Sequence, residues 1–148
     1  MKANRRQFMG LAAAGVVGTT LPVRRMSADA QQMKTGASIV IIGAGAAGTA
    51  LANRLVKRLD GATITLIDPR KDHLYQPGLS LVAAGLKPAD YVVSKTTDWL
   101  PKGVNLIEAA ASEIDPETET VKTSDGQTLA YDFLIVAPGL VLDHDAIE

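Results

Sequence analysis

The sequence predicts an α/β fold built on a parallel sheet, with a β-hairpin or meander set into one of its crossover connections. Three observations predict it. Ile39–Ile42 is a short unbroken apolar run rich in β-branched residues, the pattern of a strand buried on both faces. A helix-like segment follows at once, then a second apolar run at Thr63–Ile67, so residues 39–67 have the order and length of one βαβ unit. Further on, "ETETVKTSDGQTLAYD" alternates on either side of Asp125-Gly126, a strong hairpin signal.

Residues 1–30 read as an address and not as part of that fold. A basic front (Lys2, Arg5, Arg6) precedes a weakly apolar stretch, Phe8–Val23, followed by Arg24-Arg25 and the small-residue triplet Ala28-Asp29-Ala30. That order is the order of a signal peptide with cleavage after Ala30. The paired arginines before Gln7-Phe8-Met9 resemble a twin-arginine export signal, with Asn4 standing where Ser or Thr is commoner. Glycines and Pro22 interrupt the apolar stretch, which falls short of the about 20 residues a spanning helix needs. Export to the periplasm is the expectation.

The remaining elements follow in chain order. Ala47, Leu51, Leu55 and Leu59 recur every four residues with Asn53, Arg54, Lys57 and Arg58 between them, which predicts an amphipathic helix ending at Asp60-Gly61. "PRKDHLYQPGLSLVAAGLKPADY" is punctuated by Pro69, Pro77, Gly78, Gly85 and Pro88, so a loop with a short helical segment is expected, and no sheet. Val104–Ile107 reads as another buried strand. After the hairpin, Phe133–Ala137 is a last apolar strand, stopped by Pro138-Gly139.

Composition narrows the function classes. With 148 residues, 47% hydrophobic and 21% charged, the chain can bury a core. Residues 1–30 carry five Lys/Arg against one acid, which leaves ten basic and fifteen acidic residues from 31 onward, so the body is acidic and nucleic acid is not an expected partner. There is no cysteine, hence no disulfide, thiolate metal site or thiol nucleophile within this span. His73 and His144 are isolated and read as surface or capping residues, so no metal site is expected.

The chemistry lies in the spacing Gly43-x-Gly45-x-x-Gly48 between strand and helix. A pyrophosphate must come close enough to a helix N-terminus for backbone N–H groups to bond it, and the positive end of the helix dipole favours it there. On this reading Gly43 makes the tight turn, Gly45 lets the phosphates approach, and Gly48 lets helix and strand pack closely. Asp68, ending the second strand, is placed to accept hydrogen bonds from ribose hydroxyls, and its charge disfavours a 2′-phosphate. These residues do not choose between FAD and NAD. Ala137, Pro138 and Gly139 would bring a second strand end close to the cofactor.

"VIIGAGAAG", "DHLYQPGLSLVAAGL", "ASEIDPETETV" and "YDFLIVAPGLVLDHDAIE", in that order and spacing, resemble the N-terminal FAD-binding part of the sulfide:quinone oxidoreductases, flavoproteins with two dinucleotide-binding domains. The resemblance covers about residues 38–148, and "YQPGLSLVAAG" is its most discriminating segment. It implies an incomplete Rossmann-like FAD-binding domain over 31–148, in which Ala46 and Ala47 touch the pyrophosphate and Asp68 the ribose. Gln76 and Pro77 would lie near the flavin, Ala111 would offer its backbone to adenine, and Ala137 to Gly139 would complete the cradle.

The resemblance further implies oxidation of sulfide, transfer of electrons to quinone, and peripheral membrane association through a region beyond the match. In the resembling proteins the redox cysteines also lie beyond it. The chain stops at "DHDAIE" with about four buried runs, fewer than a dinucleotide sheet usually has, so a first segment of a longer protein, inactive by itself, is expected. Two other readings stand beside it: the flavoprotein subunit of a cytochrome c-linked sulfide dehydrogenase, and a non-catalytic nucleotide-binding segment. An NADH dehydrogenase is less favoured, because exported compartments lack NADH.

Overall fold

The computed structural model describes residues 32–140. The signal-like segment 1–30, His144 and the closing "DHDAIE" lie outside the described residues. At the centre is a four-stranded parallel sheet. It is built from β2 (Ser38–Ile42), β4 (Thr63–Ile67), β7 (Val104–Ile107) and β11 (Phe133–Val136), in the order β11-β2-β4-β7. Two short strands, β1 (Met33–Lys34) and β3 (Leu59–Asp60), pair in parallel beside it.

Layering on both faces explains the unbroken apolar runs. On one face Ile39 and Ile41 of β2 and Ile64 and Leu66 of β4 pack against the helix α1 (Ala46–Arg58) through Ala52, with Leu51, Leu55 and Val56 around it. On the other face Val40, Ile42 and Ile67 meet Val121, Leu129 and Tyr131. Val121 and Leu129 belong to a three-stranded antiparallel sheet of β8 (Ala111–Asp115), β9 (Thr120–Thr123) and β10 (Thr128–Ala130). Alternate side chains of β2 thus find apolar partners in opposite directions, and a polar residue on either face would face a lipophilic layer.

The βαβ unit and the hairpin about Asp125-Gly126 are where the sequence predicts them. Three details differ. The buried face of α1 is centred on Gly48, Thr49 and Ala52, while Ala47 is exposed. The reason is that α1 approaches the sheet through its smallest residues, which turns Ala47 outward at the helix mouth. The helix also ends at Arg58 and not at Asp60-Gly61, because Leu59 and Asp60 are extended and paired with β1. Finally, the segment expected to hold no sheet contains β5 (Asp72–Leu74), paired antiparallel with β6 (Val93–Lys95). These three-residue strands are too short for a readable alternation, and closure of the loop between them decides the pairing.

Val104–Ile107 is a strand as expected but an edge one, half-buried at Val104, Leu106 and Ile107 and exposed at Asn105. A short helix, α2 (Leu79–Ala83), occupies the excursion between β5 and β6 and buries none of its residues. Among the described residues no helix is long and apolar enough to cross a membrane.

Candidate functional site

The parallel strands end together, and the site is built on those ends. Gly43 follows β2 with φ +103°, and a β-carbon there would stand 2.2 Å from the Ala137 carbonyl oxygen at the end of β11. Both the conformation and the space demand glycine. The ladder runs on past the strands: the Gly43 N–H donates to the Ile67 carbonyl at 2.8 Å and the Ala137 N–H to the Ile42 carbonyl at 2.8 Å. Gly48, one turn into α1, lies against the same junction, since a β-carbon there would meet the Gly43 carbonyl oxygen at 1.9 Å. Two of the three glycines are therefore explained by the protein's own packing.

Gly45 is not explained in that way. It caps α1 with extended backbone and offers no side-chain acceptor to the helix N–H groups, and a β-carbon on it would find only the Arg70 guanidinium, at 3.8 Å, within 4 Å. Its bare side opens onto a cleft of about 500 Å³. The first turn of α1 carries no acidic residue, and its leading N–H groups have no acceptor within the helix. A phosphate fits such a mouth, and a side chain at Gly45 would fill it.

Asp68 lines the cleft beside the glycine turn, 3% exposed. One carboxylate oxygen accepts the Arg70 N–H at 2.8 Å and Arg70 Nε at 3.0 Å; the other accepts the Ala44 N–H at 2.7 Å and Arg70 Nη2 at 2.9 Å. Burial by itself would raise the pKa of Asp68, but the hydrogen bonds from Arg70 and Ala44 more than reverse it and hold the carboxyl below its ordinary range. Asp68 is therefore ionised at neutral pH and locks the glycine turn to the end of β4.

The cleft brings together most residues that the sequence singles out. Gly45, Ala46, Ala47, Asp68, Gln76, Pro77, Ala137, Pro138 and Gly139 all line it. Gly43 and Gly48 lie behind the turn and shape it. Ala111 is elsewhere: it opens β8, pairs with Thr123 and packs half-buried on the Val40 and Val121 cluster. Gln76 and Pro77 begin a single 3₁₀ turn, Gln76–Gly78, directly after β5.

Sequence reasoning passes over Arg70, Leu74, Tyr75 and Thr96, which also line the cleft. The signal for Arg70 was present, a basic residue two positions after the candidate ribose acid. That for Thr96 was not, because β6 brings it back from far along the chain. His73 lies between the cleft and the Trp99 ring, 5.8 Å between centroids, with its buried Nδ1 unpartnered. No group of residues able to hold a metal occurs among the described residues.

Fold and site together define an α/β protein of the dinucleotide-binding class. The family model for the pyridine nucleotide-disulphide oxidoreductases matches residues 37–144. The chain belongs to that family. It is 31% identical over 125 residues to the mitochondrial sulfide:quinone oxidoreductase of Mus musculus, covering 79% of this chain and 28% of the relative. The crystal structure of the sulfide:quinone oxidoreductase from Aquifex aeolicus superposes with a TM-score of 0.63 at 28% identity, over 73% of this chain and 25% of that one. NADH-rubredoxin oxidoreductase of Clostridium acetobutylicum is also similar, 34% identical over 108 residues, covering 70% of this chain and 27% of the relative. The chain thus spans about a quarter of the length of the relatives it matches.

Proposed function

We propose that these residues are the FAD-binding segment of a sulfide:quinone oxidoreductase, a flavoprotein that oxidises sulfide and passes the electrons to quinone. The observation that carries the nucleotide part is the uncovered Gly45 at the mouth of α1, facing a cleft that the protein leaves open. Similarity to the mouse and Aquifex enzymes supports the choice of sulfide and quinone.

In this reading the N–H groups at the start of α1 hold the pyrophosphate, and Asp68 receives the ribose hydroxyls. Gln76 and Pro77 border the far end of the cleft, where the ring system would lie, and Ala137 to Gly139 close the cradle. Bound FAD would supply the two-electron chemistry, which is the cofactor's own. The chain contributes binding, orientation and a fixed positive helix end. It contains no cysteine, so any thiol that handles sulfur lies outside these 148 residues. Export by the twin-arginine route, delivering the protein to the periplasmic side of the membrane, belongs to the same proposal.

Gly45→Val tests the nucleotide part. The variant should melt with the parent chain, because no protein atom crowds that position, and should lose FAD retention measured by flavin absorbance after gel filtration. Retention equal to the parent's would remove the assignment. For the electron path, the full-length protein should reduce a short-chain ubiquinone in a sulfide-dependent manner. Reduction of cytochrome c with no quinone reduction would favour the cytochrome-linked dehydrogenase, and activity with NADH in place of sulfide would favour the relation to NADH-rubredoxin oxidoreductase.

A further inference from the structure

Asp68 is the acid expected to receive the ribose, yet its carboxylate is already saturated. A carboxylate offers about four acceptor positions, and the N–H groups of Ala44 and Arg70 together with Nε and Nη2 of Arg70 take them all, at 2.7, 2.8, 3.0 and 2.9 Å. The two main-chain donors belong to the glycine turn and the end of β4 and cannot leave without dismantling them. The two guanidinium donors can, since the Arg70 side chain is 56% exposed.

The Arg70 backbone stays where it is. Its N–H is on Asp68, and its carbonyl accepts Thr96 Oγ1 at 3.4 Å. Its guanidinium already stands beside the helix mouth, with Nη2 3.8 Å from where a Gly45 β-carbon would be. No other Lys or Arg lines the cleft among the described residues. One mobile cation is thus within side-chain reach of both the ribose acid and the phosphate position.

Resting on the nucleotide reading above, we propose that Arg70 is a specificity residue that couples recognition of ribose to recognition of phosphate. In the structure it covers Asp68. When a nucleotide enters, the ribose hydroxyls take the carboxylate positions that the guanidinium gives up, and the guanidinium moves to a phosphate oxygen. A ligand with ribose and phosphate exchanges one charge-assisted contact for another. A ligand with ribose alone must displace the guanidinium and gives it nothing in return, so the site rejects bare nucleosides more strongly than the helix mouth alone would.

The test compares ADP with adenosine by NMR titration of the 148-residue chain, in the parent, Arg70→Met and Arg70→Lys, with melting temperature as a check of folding. In Arg70→Met, ADP should bind more weakly and adenosine more tightly, so that the preference for ADP shrinks by about tenfold, the scale of one charge-assisted hydrogen bond. Arg70→Lys keeps the charge but lacks the two-pronged grip on Asp68, so adenosine should gain while ADP stays near the parent value. An ADP preference within about twofold of the parent's in both variants overturns the proposal and leaves the nucleotide reading standing. Should Arg70→Met not fold, Arg70→Lys decides: no gain for adenosine overturns the coupling. A parent chain that binds neither ligand overturns the nucleotide reading, and the role of Arg70 with it.

Discussion

Two walls enclose the cleft, and they are built by opposite means. The wall made by the β2 to α1 turn and the end of β11 rests on the interior: Ile41 and Leu66 directly behind it are fully buried. The facing wall, from Asp72 to Pro77, belongs to an excursion with little interior of its own. Leu74, Tyr75, Leu79, Leu86, Tyr91, Val93 and Trp99 are all exposed there, and its fixed points include the β5–β6 ladder, buried Val92 and Thr96, Gly78 lodged against Val92 and Tyr75, and a hydrogen bond from Asn53 of α1 to the Trp99 carbonyl. A rigid wall of main-chain donors suits an invariant phosphate. A lightly anchored wall of side chains suits the variable end of a ligand.

Substitutions should expose that contrast, beginning with the rigid side. Gly48→Ala forces a β-carbon onto the Gly43 carbonyl, a backbone atom that cannot rotate away. It should lose stability at the upper end of the about 1–3 kcal/mol range for overpacking, read as a lower urea midpoint with unchanged slope. A loss of less than about 0.5 kcal/mol would mean that the helix can lift off the sheet freely.

Asp68→Asn should cost about 2 kcal/mol, since it weakens the charge-assisted bonds that tie the turn to β4. It also carries a pH signature. A depressed pKa in the folded state contributes stability that is complete above the unfolded-state value and is lost as pH falls through the folded one. The parent should therefore weaken in acid, below the usual carboxylate range, along a steeper course than Asp68→Asn. Parallel curves would show that Asp68 is not the group concerned.

On the excursion the effects should be smaller and local. A β-carbon at Gly78 would stand 2.7 Å from Val92 Cγ1 and 2.9 Å from Tyr75 Cδ1, both on side chains that can shift. Gly78→Ala should cost about 1 kcal/mol and speed hydrogen exchange in β5 and β6, with β2 and β4 unaffected. Equal acceleration in both places would make the two walls one cooperative unit. Smallest of all, Lys95→Ala removes an exposed ion pair with Asp72 and should leave the urea midpoint where it was.

The same division governed what the sequence could disclose. β2 and β4 were legible because the β-branched runs Ile39–Ile42 and Thr63–Ile67 state burial on both faces directly, and α1 was legible from the recurrence of Ala47, Leu51, Leu55 and Leu59, though its buried face and its end were not. The hairpin was legible from Asp125-Gly126. In the excursion the physics is not local: Asp72–Leu74 becomes a strand only because Val93–Lys95 returns to it, and no periodicity fits into three residues. At the site, the glycines were readable as a set, but the structure divides them. Gly43 and Gly48 answer to protein packing, and Gly45 alone is free for a ligand. The position of Arg70, two residues after Asp68, was readable, but the grip of its guanidinium on that carboxylate shows only in the structure.

The contact between Gly43 and Ala137 ties the glycine turn to the end of β11, the last described strand, and a second tie, Ser38 N–H to Asp132 Oδ2 at 2.7 Å, spans the same interval. The glycine turn by itself does not enclose the cleft; Ala137, Pro138 and Gly139, which follow β11, complete its rim. On the proposed reading, nucleotide binding would thus report whether two parts of the chain 94 residues apart have met.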